Sequence, residues 1–423
     1  MTKLPDQTDT VVVGAGQAGI AVSEHLGAAG VPHVVLERGR IAESWRSRRW
    51  DSLVANGPAW HDRFPNKTFA SCDPDAFPGK ESVADYLADY ADQVSAPVHC
   101  GVDVHRVTRN DAERGFRVET SQGVINATRI VAATGPFQRP VVPPLVPDAA
   151  GLTQLHSADY RNPEQLPPGA VVVVGAGASG SQIAEELLAS GRRVFLCIGP
   201  HQRPPRAYRG RDYCWWLGVL GKWEVVTPDP KTAHVTIAVS GANGGRTVDF
   251  RRFANDGMTL LGRAVGFEDG KLHLADDLAY NIAEGDAYLL ATLDEADRYA
   301  ERNGLDLPPD PEARQLGADP ECVRNPIRTL DIAGENVSAI VWATGYALDF
   351  SWLEVDTFND DGKPDHRRGI AREPGIYFLG LPWLSRRGSS FLWGVWHDAR
   401  FIADQIVIQR NYEAYEHPSQ IAS

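Results

Sequence analysis

Hydrophobic positions along this chain follow a composite pattern that occurs twice. Val11-Val12-Val13 and Val171-Val172-Val173-Val174 are uninterrupted β-branched runs, as expected of strands buried on both faces of a parallel sheet. Each run breaks into glycines: Gly14-Ala15-Gly16-Gln17-Ala18-Gly19 in the first copy and Gly175-Ala176-Gly177-Ala178-Ser179-Gly180 in the second. Helical spacing follows each turn and predicts a helix through about Ala29 and another from Ser179 to Ser190. Apolar runs return at Val34-Val35-Leu36 and from Arg193 to Ile198, predicting the next strand of each unit. Val83, Tyr86, Leu87, Tyr90, Ala91 and Val94 keep a helical period, and Val98 to Ala132 reads as a short β-meander returning to the sheet. The pattern predicts an α/β chain with two Rossmann-like dinucleotide-binding domains.

The glycines give the pattern its chemistry. A strand, a turn of the form Gly-x-Gly-x-x-Gly and a helix let the backbone approach a pyrophosphate at the helix N-terminus. With 40 Gly in the chain, chance supplies roughly 0.4 such matches, so two copies in the right context imply two nucleotides. Glu37 closes the strand after the first turn, where a carboxylate accepts the hydroxyls of an adenosine ribose and repels a 2′-phosphate; this half should hold FAD or NAD. The second unit has Gly199-Pro200 at the matching place, followed by Arg203, Arg206, Arg209 and Arg211, and reads as an NADPH site gripped by guanidinium forks.

Composition narrows the function classes. A chain of 423 residues suggests roughly two to three domains. A net charge of −13 argues against nucleic-acid and anionic-membrane partners. No apolar stretch reads as a membrane span, and Asp6 and Asp9 stand where a signal peptide would be basic, which favours the cytoplasm. Cys72, Cys100, Cys197, Cys214 and Cys322 form no close pair, so neither local metal-ligand spacing nor the cysteine pair of a flavin disulfide reductase is present.

Further segments carry a resemblance to the class B flavoprotein monooxygenases, the family of flavin-containing monooxygenases, YUCCA-type enzymes, N-hydroxylases and Baeyer–Villiger enzymes. Glu43-Ser44-Trp45-Arg46 is similar to the family's flavin-facing Gly-x-Trp segment with the Gly replaced, and Ala55-Asn56-Gly57-Pro58 resembles its Ser-Asn-Gly-Pro segment. Ala133-Thr134-Gly135 and Ala343-Thr344-Gly345-Tyr346 resemble the hinges where such chains leave and re-enter the flavin domain. Pro374 to Gly380 and Ser389 to Val395 resemble the closing flavin-binding strand and helix. Of the family's interdomain fingerprint, His156 and Tyr160 stand in register, whereas Ala150 and Leu152 replace its Phe and Gly.

The resemblance implies a discontinuous FAD domain, residues 1–150 and 336–423, with an NADPH domain inserted at 151–335. It implies cofactor contacts from Gly14, Gly16, Gly19, Glu37, Arg38, Trp45, Val104, Thr134, Gly135, Thr344, Gly345, Gly380 and Leu392 on the FAD side. On the NADPH side it implies Gly175, Gly177, Ser179, Gly180, Arg203, Arg206 and Arg209. It also implies that NADPH reduces FAD, that O₂ is held as a flavin C4a-(hydro)peroxide, and that one oxygen atom passes to a small organic substrate, most readily at N or S. Asn56 is the candidate catalytic group beside that oxygen; a turn asparagine before Gly-Pro is the competing reading. Baeyer–Villiger or oxidative-decarboxylating chemistry, a non-oxygenating NADPH oxidase or reductase, and a redox-silent binding module stay open. Trp215-Trp216 and Trp393 with Trp396 could line an aromatic pocket, although core packing is the commoner fate of tryptophan.

Overall fold

The computed structural model describes residues 3–70, 72–110, 114–226 and 236–415. β1 (Gln7–Val13) runs into the first glycine turn, α1 (Gln17–Ala28) returns over it, and β2 (His33–Glu37) lies parallel to β1 with Val12 opposite Val35. α2 (Lys80–Gln93) buries Val83, Tyr86, Leu87, Tyr90 and Ala91 on one face, and β3 (Val98–Cys100) adds the edge strand beyond β2. The meander expected to follow is an antiparallel pair, β4 (Val104–Arg109) with β5 (Phe116–Thr120). It feeds β6 (Gly123–Ala132), which joins β1 on its other side.

The second unit repeats this plan. β7 (Thr153–His156) is followed by β8 (Ala170–Val174), α3 (Ala178–Ala189) and β9 (Val194–Cys197). A short helix α4 (Tyr213–Val219), strand β10 (Thr259–Leu261), the long helix α5 (Leu278–Arg302) and β11 (Val337–Trp342) complete it. The chain then crosses back through β12 (Ile376–Phe378) and ends its described part in α6 (Leu392–Glu413).

Both sheets have the same parallel core, β3-β2-β1-β6-β12 in the first and β10-β9-β8-β11-β7 in the second. In each, the fingerprint strand is central, and the neighbour on one side ends in Ala-Thr-Gly. β11 pairs with β8 and β7, so it belongs to the second sheet, and the return crossing follows Trp342 rather than the boundary expected at residue 336.

Valine runs make these strands because both faces are covered. Val171 and Val173 enter one apolar cluster while Ala170, Val172 and Val174 enter the other, as the two-residue period of a strand requires. Trp45 packs against the core of the first unit and that of the second. Arg129, only 2% exposed on β6, donates to Asp9 on β1 and to Glu413 at the end of α6, and so staples the closing helix to the first sheet.

Candidate active site

The first glycine turn is shaped by close backbone approach. Gly14 has φ +105°, and a Cβ there would stand 2.8 Å from the Ala133 carbonyl oxygen; at Gly19 it would stand 1.8 Å from the Gly14 carbonyl oxygen. These two positions need glycine to build the turn. Gly16 differs, since a Cβ there meets nothing within 4 Å, leaving an open cradle at the N-terminus of α1. The Glu37 carboxylate spans the mouth of the cradle, one oxygen accepting from the Ala15 N–H at 2.9 Å and the other from the Gly39 N–H at 2.8 Å. Each oxygen keeps a second lone pair for a ribose hydroxyl. The donors, the carboxylate and the open space fit an adenine dinucleotide such as FAD.

The other residues expected on this side gather unevenly. Thr134 and Gly135 follow the Ala133 carbonyl that abuts Gly14. Gly380, φ +80°, lies where a Cβ would be 2.8 Å from Ala18 on α1, and Leu392 starts α6. Gln17 donates to the Ser390 carbonyl at 2.7 Å, bringing the N-terminus of α6 to the fingerprint turn. Arg38 is exposed beside Glu37. Val104 opens β4, whereas the residue bonded to Glu37 is Val102, whose N–H donates to the Glu37 carbonyl at 2.9 Å.

The second turn copies the first. Gly175 also has φ +105° with the Ala343 carbonyl oxygen 2.5 Å from its Cβ position, and Gly180 would place a Cβ 1.7 Å from the Gly175 carbonyl oxygen. Ser179 is half-buried in the first turn of α3, and Thr344 donates to the Val141 carbonyl at 2.5 Å. The turn fits a second dinucleotide, with one difference: Thr236 Cγ2 lies 2.7 Å from the Cβ position of Gly177. That threonine belongs to a strap pinned to the loop after β9, with Gln202 N–H donating to the Thr236 carbonyl at 2.7 Å and Ala238 N–H to the Gln202 carbonyl at 2.8 Å.

Arg203, Arg206 and Arg209, expected to grip phosphate, are committed inside the protein. Arg203 donates to Asp286 at 2.5 Å, and both side chains are buried. Arg206 holds Asp212 through Nε and Nη2 and the Asn56 carbonyl through Nη1 at 2.5 Å. Arg209 binds Asp297 and the carbonyls of Leu307 and Pro308. A short loop rich in arginine folds inward here because α5 brings Asp286 and Asp297 against it. A more exposed cation near the end of β9 is Arg263, whose Cγ and Cδ lie 3.3 Å from the Cβ position of Gly199; its Nε pairs with Asp277 at 2.5 Å while its side chain stays 57% exposed. Its signal in the sequence is its place just after β10, the parallel neighbour of β9.

Asn56 stands where three parts of the chain meet. Its side-chain oxygen accepts from Gln182 Nε2 on α3 at 2.9 Å, and its carbonyl accepts from Arg206. The turn continues through Gly57, where a Cβ would fall 2.4 Å from the Asp62 carboxylate. His61 bonds that carboxylate at 2.7 Å, stacks on Trp223 at 5.0 Å and is flanked edge-on by Trp60 and Trp393. Trp393 therefore joins this cluster, whereas Trp216 is core and Trp396 points to Glu24. Gln182, His61 and Trp223 carry no local sequence signal, because only the tertiary fold brings them to Asn56.

His156 is fixed by backbone on both nitrogens. Ala158 N–H donates to Nδ1 at 3.1 Å, which leaves Nε2–H to donate to the Gly345 carbonyl at 2.9 Å. The imidazole thus ties the linker to the second Ala-Thr-Gly hinge, and burial holds its pKa below the ordinary value. Tyr160 donates to Glu186 on α3 at 2.7 Å. Among the described residues no His, Cys, Asp or Glu group suits a metal ion, and no helix is long and apolar enough to cross a membrane.

The chain is similar to known proteins in sequence and in fold. The sequence pattern of the pyridine nucleotide-disulphide oxidoreductase family matches residues 11–211. All five cysteines of this chain are nevertheless unpaired. An uncharacterised CzcO-like oxidoreductase of Geobacillus kaustophilus is 31% identical over 94% of this chain and 98% of its own. The indole-3-pyruvate monooxygenase YUCCA4 of Oryza sativa subsp. japonica is 32% identical over 98% of this chain and 90% of its own. A flavin-containing monooxygenase from Stenotrophomonas maltophilia has the same fold at 20% identity, with a TM-score of 0.65 over 96% of this chain and 99% of that one.

Proposed function

The chain belongs to the class B flavin monooxygenases, and from that premise we propose that it is an FAD- and NADPH-dependent enzyme of the cytoplasm that transfers one oxygen atom from O₂ to a small organic substrate. FAD would be held by the cradle at Gly16 with Glu37 toward its ribose, and NADPH by the turn at Gly177, where Arg263, paired to Asp277 yet exposed, would be the cation for its 2′-phosphate. When bound, the flavin takes hydride from NADPH and activates O₂. The chain's own part is to align the two nucleotides, exclude water, and present a polar group where oxygen is handled. The observation that carries this reading is the Asn56 turn, held from one side by Gln182 and Arg206 of the second unit and leading into His61, which meets Trp393 at the start of α6. Asn56 is its hydrogen-bonding group.

The reaction favoured is oxygenation at N or S of a small soft nucleophile. A second reading, oxidative decarboxylation of an aromatic 2-oxo acid, is supported by the YUCCA-type relative and by the tryptophans around His61. Incubation with NADPH and a panel of thioethers, amines and arylpyruvates separates them: a product heavier by one oxygen marks the first, release of CO₂ the second. Hydrogen peroxide as the only product would refute both.

Asn56→Ala tests the site itself. Hydride transfer needs only the aligned nucleotides, so anaerobic reduction by NADPH should persist, while H₂O₂ released per NADPH consumed should rise as a positioned donor is lost. An unchanged ratio would reduce Asn56 to a turn residue.

A further inference from the structure

Gln182 sits on α3, the helix that carries the second fingerprint, and is 5% exposed. Its Nε2 lies 2.9 Å from Asn56 Oδ1 and 3.2 Å from the Val239 carbonyl oxygen. This triangle fixes which way two side-chain amides face. A backbone carbonyl only accepts, so the Gln182 atom directed at Val239 has to be the NH₂ group. The remaining hydrogen of that group faces Asn56, which has to answer with its oxygen. The Asn56 NH₂ group is thereby turned away from α3, and it has no acceptor among the described residues. The polarity follows from the carbonyl, whatever the ambiguity of amide orientation elsewhere.

Asn56 is clamped on its other side as well. Arg206, 3% exposed and paired to Asp212 at 2.6 Å, holds the Asn56 carbonyl, so the backbone cannot rotate to undo what Gln182 imposes. Val239 in turn belongs to the strap whose Thr236 covers Gly177. The carbonyl that sets the amide chain is thus continuous with the segment lying over the second nucleotide turn.

We infer that Gln182 is a positioning residue: it makes Asn56 a hydrogen-bond donor toward the flavin side, and it makes that donor depend on the helix and strap of the NADPH unit. The inference rests on the monooxygenase reading for its catalytic consequence, but the polarity it asserts can be read directly. An acceptor in place of the donor would face an electron-rich oxygen with a lone pair, and lose the stabilisation that a preorganised N–H provides.

Gln182→Glu keeps the shape and removes the donor, so Asn56 should swing its NH₂ toward the carboxylate and present oxygen to the cleft. Gln182→Met keeps the bulk and removes the preference. In holoenzyme labelled with ¹⁵N-asparagine, with the Asn56 signal identified by its loss in Asn56→Ser, the side-chain amide should shift downfield and exchange more slowly in Gln182→Glu than in the parent. FAD content and the anaerobic rate of reduction by NADPH should stay comparable, and H₂O₂ released per NADPH should increase in the order parent, Gln182→Met, Gln182→Glu. A purely structural Gln182 would instead make Gln182→Met at least as poor as Gln182→Glu and would lower FAD content with it. An unmoved Asn56 amide in Gln182→Glu overturns the inference, as does a ratio equal in all three. If the parent yields only peroxide, the monooxygenase reading falls while the amide signal still decides the role of Gln182.

Discussion

At the scale of single residues, glycines of one motif do different work, and substitution should separate them. Gly16→Val adds bulk to open space at an ordinary backbone conformation, so the protein should purify without flavin colour and melt where the flavin-free parent does. Gly19→Ala drives a methyl into the Gly14 carbonyl and should cost about 1–3 kcal/mol of stability, seen as a lower melting temperature. Full yellow occupancy in Gly16→Val would remove FAD from this cradle. Arginines divide in the same way. Arg263→Ala should weaken NADPH roughly ten- to a hundred-fold while sparing NADH, the loss of one charge-assisted contact. Arg206→Ala should instead cost stability, because it leaves Asp212 without its partner in a largely buried site. A nucleotide preference that survives Arg263→Ala would send the search for the phosphate ligand elsewhere. The motifs Gly14 to Gly19 and Gly175 to Gly180 were legible because glycine is demanded by the backbone alone. Arg203 and Arg209 turn inward for a reason the sequence does not carry, since composition cannot tell a guanidinium facing solvent, as Arg211 does, from one facing Asp286 or Asp297 across the fold.

Elements were legible where both faces of a strand or one face of a helix are buried. β1, β8 and their helices match the valine runs and glycine turns, and α2 matches its six apolar positions to within a few residues. The strap from Thr236 to Ser240 was not, because it is held by two bonds to Gln202 and one from Gln182 rather than by a periodic face. Histidines drawn into the interior give a pH signature. Burial lowers the pKa of His25, His33, His156, His201, His366 and His397. The unfolded chain therefore binds more protons below about pH 6.5, and stability present above that value is lost as pH falls through the folded-state values. Melting temperature should drop between about pH 7 and 5, before most carboxylates titrate. A melting temperature flat across that interval would contradict the burial of these rings.

The whole molecule is two sheets built around similar parallel cores and sharing one chain, and bonds such as Gln182–Asn56, Arg206–Asn56 and Ser52–Glu186 join them. Trp45 touches both cores and His156 ties the linker to the second hinge, while within the first unit Arg129 fastens α6 back onto β1 and β6. Arg129→Met removes the buried cation that Asp9 and Glu413 share, leaves them Arg410 and Arg114, and should cost about 0.5–3 kcal/mol and loosen the helix whose N-terminus meets the first glycine turn. Faster loss of FAD on dilution, together with a lower melting temperature, is the expected result; unchanged flavin retention would show that α6 holds its place without the staple. The two cradles also differ in how they can be used. Over Gly16 the way is open, so a nucleotide seated there has nothing of the chain to push aside and can stay as a permanent tenant. Over Gly177 the chain's own Thr236 stands in the path, and the free energy of clearing it lowers the apparent affinity of each arriving nucleotide.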